Sequence, residues 1–473
     1  MPESKLRVAV LADSDTRWKW GALTARRLVP DHQLTGYLLR GRATPTDRQL
    51  GEVGVGADRL TEVSCAEFLD GLVRERYDVV VLALVGGAVQ AVLHGARALW
   101  PAPAARPVLV TGYVGVVYEK LADGLLLRHG ADLVLANSRH DAERFRAVYE
   151  GVGADAGAVT ETALPFLGGA RYAPPAGAGA VAGAAAGAAG SAHRVVFAVQ
   201  PSVPEGRADR AYLLERAARH ARLHPGREVL IKLRSRPGEH TTHLEEHPYQ
   251  RLAQRLPGGL PPNCRLVYGN MGEVLDTADL LVTVSSTAAL ESLHRYVPTA
   301  VLTDLGIREA LGNHHFLGSG CLASWDQLDA GLLPQGDPEW LRAQGVRPAG
   351  GDGAAGAAPD DSAGTAPDGS AGAAPDDAYA AARERVAALA AEERLPAPAP
   401  YYTLTTAPGY LPGILARHRL APDGTPLPGA VRGTAGESRL RRRLRAHLRG
   451  AARGAYRHGV QRVAPVIRRL GEL

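Results

Sequence analysis

Short apolar segments rich in Val and Leu alternate with longer segments of mixed polarity along most of the chain. In the first half this pattern predicts strands at 7–12, 34–39, 78–83, 107–111 and 133–136, and helices at 17–28, 65–76 and 88–100. Strands that alternate with helices are typical of a parallel, doubly wound α/β sheet. No Gly-x-Gly-x-x-Gly motif follows the first strand, which disfavours a dinucleotide-binding domain.

The same alternation starts again after an Ala- and Gly-rich interruption. The second half has predicted strands at 194–199, 228–233, 264–268, 280–285 and 299–302, with helices at 209–223, 249–255 and 274–277. Two such sheets predict a ligand cleft between them, because open α/β sheets bind ligands at the carboxyl ends of their strands.

Composition divides the chain into six regions. We expect an N-terminal Rossmann-like domain (1–168), an Ala/Gly linker (169–192), a C-terminal Rossmann-like domain (193–344), a disordered insert (345–378), a helix with a Pro-rich segment (379–430) and a basic amphipathic tail (431–473).

The net charge of +5 comes from one end of the chain. Residues 437–470 contain eleven arginines and one glutamate, so the remainder is acidic. This distribution disfavours a globally basic nucleic-acid binder. The three cysteines have no paired spacing, which disfavours a disulfide framework or a zinc knuckle. The N-terminus lacks an apolar signal region, and glycines interrupt the apolar stretch 79–93, so we expect a cytoplasmic protein.

The most informative stretch follows the predicted strand 280–285. Ser285, Ser286 and Thr287 stand directly before the helix-forming run that starts at Ala288. Serine and threonine cap helices, and the free N–H groups of a first helical turn also bind anions such as a nucleotide phosphate. Glu291, one turn further on, can reach a sugar hydroxyl. The alternative interpretation is a capped helix without a ligand.

A second group of polar residues follows the strand 228–233. Lys232 and Arg234 end this strand, and a loop with His243 and His247 comes after them. Two cations together with histidines and hydroxyl groups could bind a diphosphate. A solvated loop is the alternative.

These two motifs together resemble the C-terminal half of GT-B glycosyltransferases, especially bacterial polysialyltransferases and capsule-polymer transferases. Over roughly residues 6–330 the chain is more specifically similar to an actinobacterial family of predicted glycosyltransferases, on the segments 10–15, 239–245 and 316–320. In the transferases the Ser/Thr turn holds the nucleotide phosphate, and a His-Pro pair after the lysine strand contacts the nucleotide. Here Arg234 replaces that histidine, so His243 or His247 would substitute for it.

The resemblance implies a GT-B-like glycosyltransferase in which the C-terminal domain binds a nucleotide-sugar donor. The N-terminal domain would bind a glycan or lipid-linked acceptor. No Asp-x-Asp motif lies in a donor-binding setting, which predicts a metal-independent enzyme without a cofactor. Asn313 precedes two adjacent histidines in a loop that we expect to line the cleft and contact a sugar. Sequence-adjacent histidines without a carboxylate pair disfavour a metal site.

Transfer to an acceptor hydroxyl requires a base that takes its proton. Asp13 and Asp15, at the end of the first strand, are candidates, and either one could instead only cap the next helix. Glu119, which follows a later strand, is a further candidate.

Two functional alternatives and the role of the tail stay open at this point. The chain could be a nucleotide-sugar epimerase of the same fold, or a non-catalytic sugar- or nucleotide-binding protein. The tail at 437–470 could lie on an anionic membrane, pack on the protein's acidic body, or be disordered.

Overall fold

The computed structural model describes residues 5–116, 120–173, 193–236, 239, 245–346 and 376–431. Most of the expected linker (174–192 of 169–192), most of the insert (347–375) and most of the tail (432–473) lie outside the described residues. Among the residues that are described, no helix has the length and apolar character needed to cross a membrane.

The N-terminal part forms a seven-stranded sheet in the order β3-β2-β1-β4-β5-β6-β7. Its strands are β1 (Leu6–Ala12), β2 (His32–Leu39), β3 (Arg59–Val63), β4 (Val79–Ala83), β5 (Val108–Gly112), β6 (Leu133–Ala136) and β7 (Val159–Glu161). The helices between them are α1 (Asp15–Leu28), α2 (Asp47–Val53), α3 (Cys65–Glu75), α4 (Gly86–Leu99), α5 (Leu121–Leu126) and α6 (Arg139–Gly151). All strand pairs are parallel, and the central strand β4 is buried along its whole length.

The second sheet has six parallel strands in the order β10-β9-β8-β11-β12-β13. They are β8 (His193–Ala198), β9 (Arg227–Lys232), β10 (Cys264–Val267), β11 (Leu280–Thr283), β12 (Thr299–Leu302) and β13 (Leu322–Ala323). The helices are α7 (Arg207–Leu223), α8 (Tyr249–Ala253), α9 (Met271–Leu275), α10 (Ala288–His294), α11 (Trp325–Asp329) and α12 (Pro338–Ala343). Two parallel sheets with alternating helices confirm the predicted α/β architecture.

The segment 376–431 returns to the N-terminal sheet. It contains α13 (Ala380–Ala391), which packs against α1, β5 and β7, and α14 (Leu411–Arg417), which packs against α4. Between them, Leu395 pairs with Ala104 in an isolated β-bridge. The expected helix and Pro-rich segment are therefore part of the N-terminal core and not an appendage.

The two sheets meet along a seam formed by residues that follow the carboxyl ends of their strands. Leu290 and Leu293 of α10 share one buried apolar cluster with Trp18 and Trp20 of α1. A Cβ placed on Gly115, which follows β5, would lie 3.3 Å from the Thr287 Oγ1 at the start of α10. This inter-sheet seam occupies the position of the predicted cleft.

Candidate active site at the inter-sheet seam

Asp15 and Arg234 form an ion pair across the seam. Asp15 begins α1, after β1, whereas Arg234 follows β9, and the guanidinium Nη2 donates to the Asp15 Oδ1 at 2.7 Å. Arg234 also donates to the Thr16 hydroxyl. Burial alone would raise the pKa of Asp15, but the charge and hydrogen bonds of Arg234 and Thr16 outweigh burial and hold this pKa below its ordinary value. Asp15 is therefore an ionised partner of Arg234.

Asp13 is held on both carboxylate oxygens. Its Oδ1 accepts from the Arg17 Nη1 at 2.9 Å, and its Oδ2 accepts from the backbone N–H of Val85 at 2.9 Å. These bonds tie the end of β1 to the end of β4. The N-cap of α1 is Ser14, whose hydroxyl accepts from the Arg17 N–H, so the hypothesis that either aspartate caps this helix is wrong. Glu119 lies outside the described residues.

The Ser-Ser-Thr turn has a more structural character than expected. The Ser285 hydroxyl donates to the Leu311 carbonyl at 2.6 Å, and its backbone N–H donates to the Gln200 Oε1 at 3.0 Å. The Ser286 Oγ accepts from the Ala288 N–H at 3.2 Å, which makes Ser286 the side-chain cap of α10. Thr287 occupies the N-cap position without a side-chain capping bond.

Glu291 forms a second ion pair across the seam. Its side chain is buried, and its Oε2 lies 3.6 Å from the Lys19 Nζ of α1. The same ammonium lies 4.9 Å from the centre of the Phe166 ring. Glu291 was predicted to reach a sugar hydroxyl, and in the structure its carboxylate contacts a cation of the N-terminal domain.

Lys232 is a buried cation at the end of β9. Its Nζ donates to the Leu233 carbonyl at 2.8 Å, and no ion pair of this ammonium occurs within the described part of the chain. Burial lowers the pKa of Lys232 to about 8, against the opposing influence of Glu52. The ammonium is therefore still largely protonated at neutral pH.

Three residues of the seam were missed by the sequence analysis. Arg48 of α2 donates from its Nε and Nη2 to the two carboxylate oxygens of Glu239, and Thr46 donates to the same carboxylate at 3.3 Å. Glu52 accepts from the Gly269 N–H, after β10, at 3.1 Å. The signal that could have found them is the capping box Thr46–Gln49 at the start of α2.

Two further predicted donor-binding residues, Asn313 and His247, contact groups of their own domain, and one is not described. Asn313 is fully buried, and its amide donates to the carbonyls of Leu302 and Gly306 while its oxygen accepts from the Arg308 N–H. These bonds give Asn313 a structural role, and they occupy the side-chain groups that the predicted sugar contact would use. His247 is half-buried, and its backbone carbonyl accepts from the Arg210 Nε at 2.8 Å. His243 lies outside the described residues.

One group of metal-ligand residues lies away from the seam. It consists of His220 on α7, His224 just after α7 and Asp329 on α11. One possible ligand atom of each residue lies within 4.8 Å of those of the other two. However, the His220 ring bonds to Asp329 at 2.7 Å and to the Arg227 guanidinium at 3.1 Å. Arg216 donates to the second Asp329 oxygen at 3.2 Å. Protein partners satisfy these groups, and two nearby guanidinium groups disfavour a cation.

Residues 8–359 match the model of a family described as "Putative glycosyltransferase (DUF6716)". The chain belongs to this family. No curated protein matches the sequence. Solved structures with a similar fold include the UDP complex of MnaA from S. aureus, with 10% identity and a TM-score of 0.46 over 72% of this chain and 90% of that one.

Two further solved structures are similar at this level. The UDP-GlcNAc 2-epimerase from Neisseria meningitidis, bound to UDP-GlcNAc, has 10% identity and a TM-score of 0.41, over 68% of this chain and 89% of that one. Arabidopsis thaliana UGT89C1, complexed with UDP-L-rhamnose, has 8% identity and a TM-score of 0.41, over 72% and 88%.

Proposed function

We propose that this chain is a metal-independent glycosyltransferase that moves a sugar from a nucleotide-activated donor to a hydroxyl of a glycan or lipid-linked acceptor. Membership of the DUF6716 family supports sugar transfer. The C-terminal sheet would bind the donor, and the N-terminal sheet would bind the acceptor.

The observation that carries the donor site is the buried ammonium of Lys232. Within the described part of the chain this ammonium forms no ion pair; a buried charge without a close counter-charge is costly, and an anionic diphosphate would supply one. Arg234 lies two residues further on, and the start of α10 is on the neighbouring part of the same sheet edge. As the bond between sugar and phosphate breaks, negative charge develops on the leaving phosphate, and fixed cations stabilise that charge.

Binding of free nucleotides tests this proposal. UDP, GDP, CMP and dTDP are each added to the full chain, with and without EDTA, and the melting temperature is measured. We expect one nucleotide to stabilise the protein, by about 2.7 kcal/mol at a concentration of about 100 Kd, and EDTA to leave this stabilisation unchanged.

Two variants make the binding test specific. Lys232→Met should weaken nucleotide binding about 10-fold or more, since it removes a charge from the phosphate site. The matched control Arg265→Gln, which loses an exposed ion pair with Glu228, should bind like the wild type. Unchanged affinity in Lys232→Met, or no stabilisation of the wild type by any of the four nucleotides, would refute the proposed donor site.

A membrane surface is the proposed location of the acceptor. The arginines of 437–470 surround leucines that recur every fourth residue at 440, 444 and 448, a pattern suited to anionic headgroups. Co-sedimentation with phosphatidylglycerol vesicles compares the full chain with a version that ends at Gly436. We expect only the full chain to pellet, and equal behaviour of both would exclude the tail as the membrane contact.

A further inference from the structure

The ion pair between Arg234 and Asp15 differs in polarity from the other ion pairs that cross the seam. Arg234 follows β9 of the C-terminal sheet, and its carboxylate partner begins α1 of the N-terminal domain. In the other two pairs across the seam within the described ranges, the cation belongs to the N-terminal domain: Lys19 with Glu291 and Arg48 with Glu239. Asp15 therefore places an anion of the N-terminal domain on a cation of the proposed donor site.

Asp15 and Thr16 together occupy the Nη2 of Arg234. This nitrogen donates to the Asp15 Oδ1 at 2.7 Å and to the Thr16 hydroxyl, so both of its N–H groups are used. A guanidinium holds a phosphate or carboxylate with two parallel N–H groups, either from Nε and Nη2, as Arg48 does with Glu239, or from Nη1 and Nη2. Because Nη2 belongs to both arrangements, Arg234 can offer a phosphate only single hydrogen bonds while these two contacts persist.

The rest of the Arg234 guanidinium is open to a ligand. Its Nε and Nη1 have no hydrogen-bond partner within the described part of the chain, and the side chain is 30% exposed. Lys232, two residues earlier on the same strand end, is a buried cation. A diphosphate that binds here would therefore contact one ammonium and one guanidinium whose bidentate positions are both taken by the protein.

We propose that Asp15 is an internal competitor of the donor: its carboxylate holds the Arg234 guanidinium in place of a phosphate, and the donor gains a bidentate contact only when it displaces Asp15. This inference rests on the proposed donor site. The affinity for a nucleotide is then the affinity for a free Arg234, reduced by the free energy needed to break the pair with Asp15.

The charge of the ligand decides whether this exchange is favourable. Asp15 brings one negative charge to Arg234, whereas the diphosphate of a nucleotide sugar brings two, one for Arg234 and one for Lys232. The competition therefore favours ligands that reach both cations over anions that reach only one.

Nucleotide affinity in Asp15→Asn tests the competition. The nucleotide selected by the binding panel is titrated into the full chain by calorimetry. Asparagine has the shape of aspartate without its charge, so it holds Arg234 more weakly, and we expect the Kd to fall about 10-fold. The matched control is Asp31→Asn, the same substitution in an exposed ion pair with Lys5, which should leave the Kd unchanged.

The Arg234→Gln background shows whether the effect acts through the guanidinium. Removal of any anion near a phosphate site favours nucleotide binding through the general electrostatic field, and this contribution would remain without Arg234. Relief of competition would not remain. We expect Arg234→Gln to raise the Kd, and Asp15→Asn to change it less than about twofold in that background, at a temperature where both variants are folded.

The outcomes separate this proposal from the proposed donor site. If the wild type binds a nucleotide and Asp15→Asn binds it no more tightly, the competition is wrong and the donor site stands. The same conclusion follows if Asp15→Asn gains equally with and without Arg234. If neither the wild type nor Asp15→Asn binds any nucleotide of the panel, the donor site fails and the competition fails with it.

A crystal structure of the nucleotide complex tests the proposal without any variant, including in the case that Asp15→Asn does not fold. We expect phosphate oxygens within hydrogen-bond distance of the Arg234 Nη2 and of one neighbouring nitrogen. The Asp15 Oδ1 should then lie more than about 4 Å from Nη2, beyond the reach of an ion pair. A bound nucleotide beside an intact contact between Arg234 and Asp15 would overturn the proposal.

Discussion

The Arg234 guanidinium lies 2.7 Å from the Asp15 carboxylate, and this pair joins the two sheets at the seam where the predicted ligand site lies. Asp15 is only 9% exposed, so its charge depends on the guanidinium for compensation. The sequence analysis expected Arg234 to take the place of a nucleotide-contacting histidine, and in the structure it contacts Asp15.

Arg234→Gln should destabilise the protein by about 1–3 kcal/mol at neutral pH, since it leaves the Asp15 carboxylate buried without its cation. The low pKa of Asp15 in the wild type contributes stability that is present above its unfolded pKa of 3.8 and is lost as the pH falls through the folded value. Without Arg234, burial raises this pKa above 3.8, so the carboxylate costs stability at neutral pH, and this cost is relieved as the pH falls and Asp15 becomes protonated. Urea unfolding between pH 4 and 7 measures both effects. Asp15→Asn combined with Arg234→Gln should recover part of the loss, and a fully additive pair would show that the two side chains do not interact.

Lys232→Met should change the pH dependence of stability in the alkaline range. The pKa of Lys232 is about 8 in the folded protein, compared with 10.5 for an ordinary lysine. Between these values the unfolded chain binds more protons, so wild-type stability contains a component that rises with pH. This component should be missing in Lys232→Met, which we also expect to be at least as stable as the wild type at neutral pH. If the unfolding free energy of the two proteins changes with pH in the same way from pH 7 to 10, the buried position of the Lys232 ammonium is contradicted.

Most of the fold was predictable because its buried strands consist of short runs of apolar residues that can be recognised in the sequence. β4 is entirely buried and consists of apolar residues, so its position could be predicted directly from the sequence. β3 (Arg59–Val63) was missed because it is exposed along three of its five residues and has no apolar run. The return of 376–431 to the first sheet was missed for a different reason. Local patterns do not contain the long-range contacts, such as Leu395 with Ala104, that place it there.

The candidate site was predictable only at the level of which strand ends contribute to it. The sequence indicated Asp15, Arg234 and Glu291 as polar groups after strands, and all three lie at the seam. It could not show that Asp15 pairs with Arg234 or that Glu291 pairs with Lys19, because both partners come from the other sheet. Side chains that precede a helix have several possible bonds, and only the tertiary structure determines which one forms.

Substitutions in the Ser-Ser-Thr turn should affect the stability of the protein and its affinity for nucleotide separately. Ser285→Ala removes a buried hydroxyl that donates to the Leu311 carbonyl, so it should cost about 1–3 kcal/mol of unfolding free energy and leave nucleotide affinity nearly unchanged. Thr287→Ala removes a hydroxyl without a capping bond and should cost less than about 0.5 kcal/mol, while lowering nucleotide affinity. Calorimetric titration with the nucleotide that binds, together with urea unfolding, separates these effects. The opposite pattern would place the phosphate at Ser285.

Asn313→Ala provides the clearest test of the distinction between a structural and a sugar-binding residue. The Asn313 amide holds the carbonyls of Leu302 and Gly306 and the N–H of Arg308, all close to the end of β12. Removing it leaves these backbone groups without partners, and we expect a loss of about 2–4 kcal/mol in unfolding free energy. At a temperature where the variant stays folded, its KM for the donor should match the wild type. A stable variant with a raised KM would instead return Asn313 to the sugar site, where the sequence had placed it. His314→Ala is the matched control, because this exposed neighbour should change neither quantity.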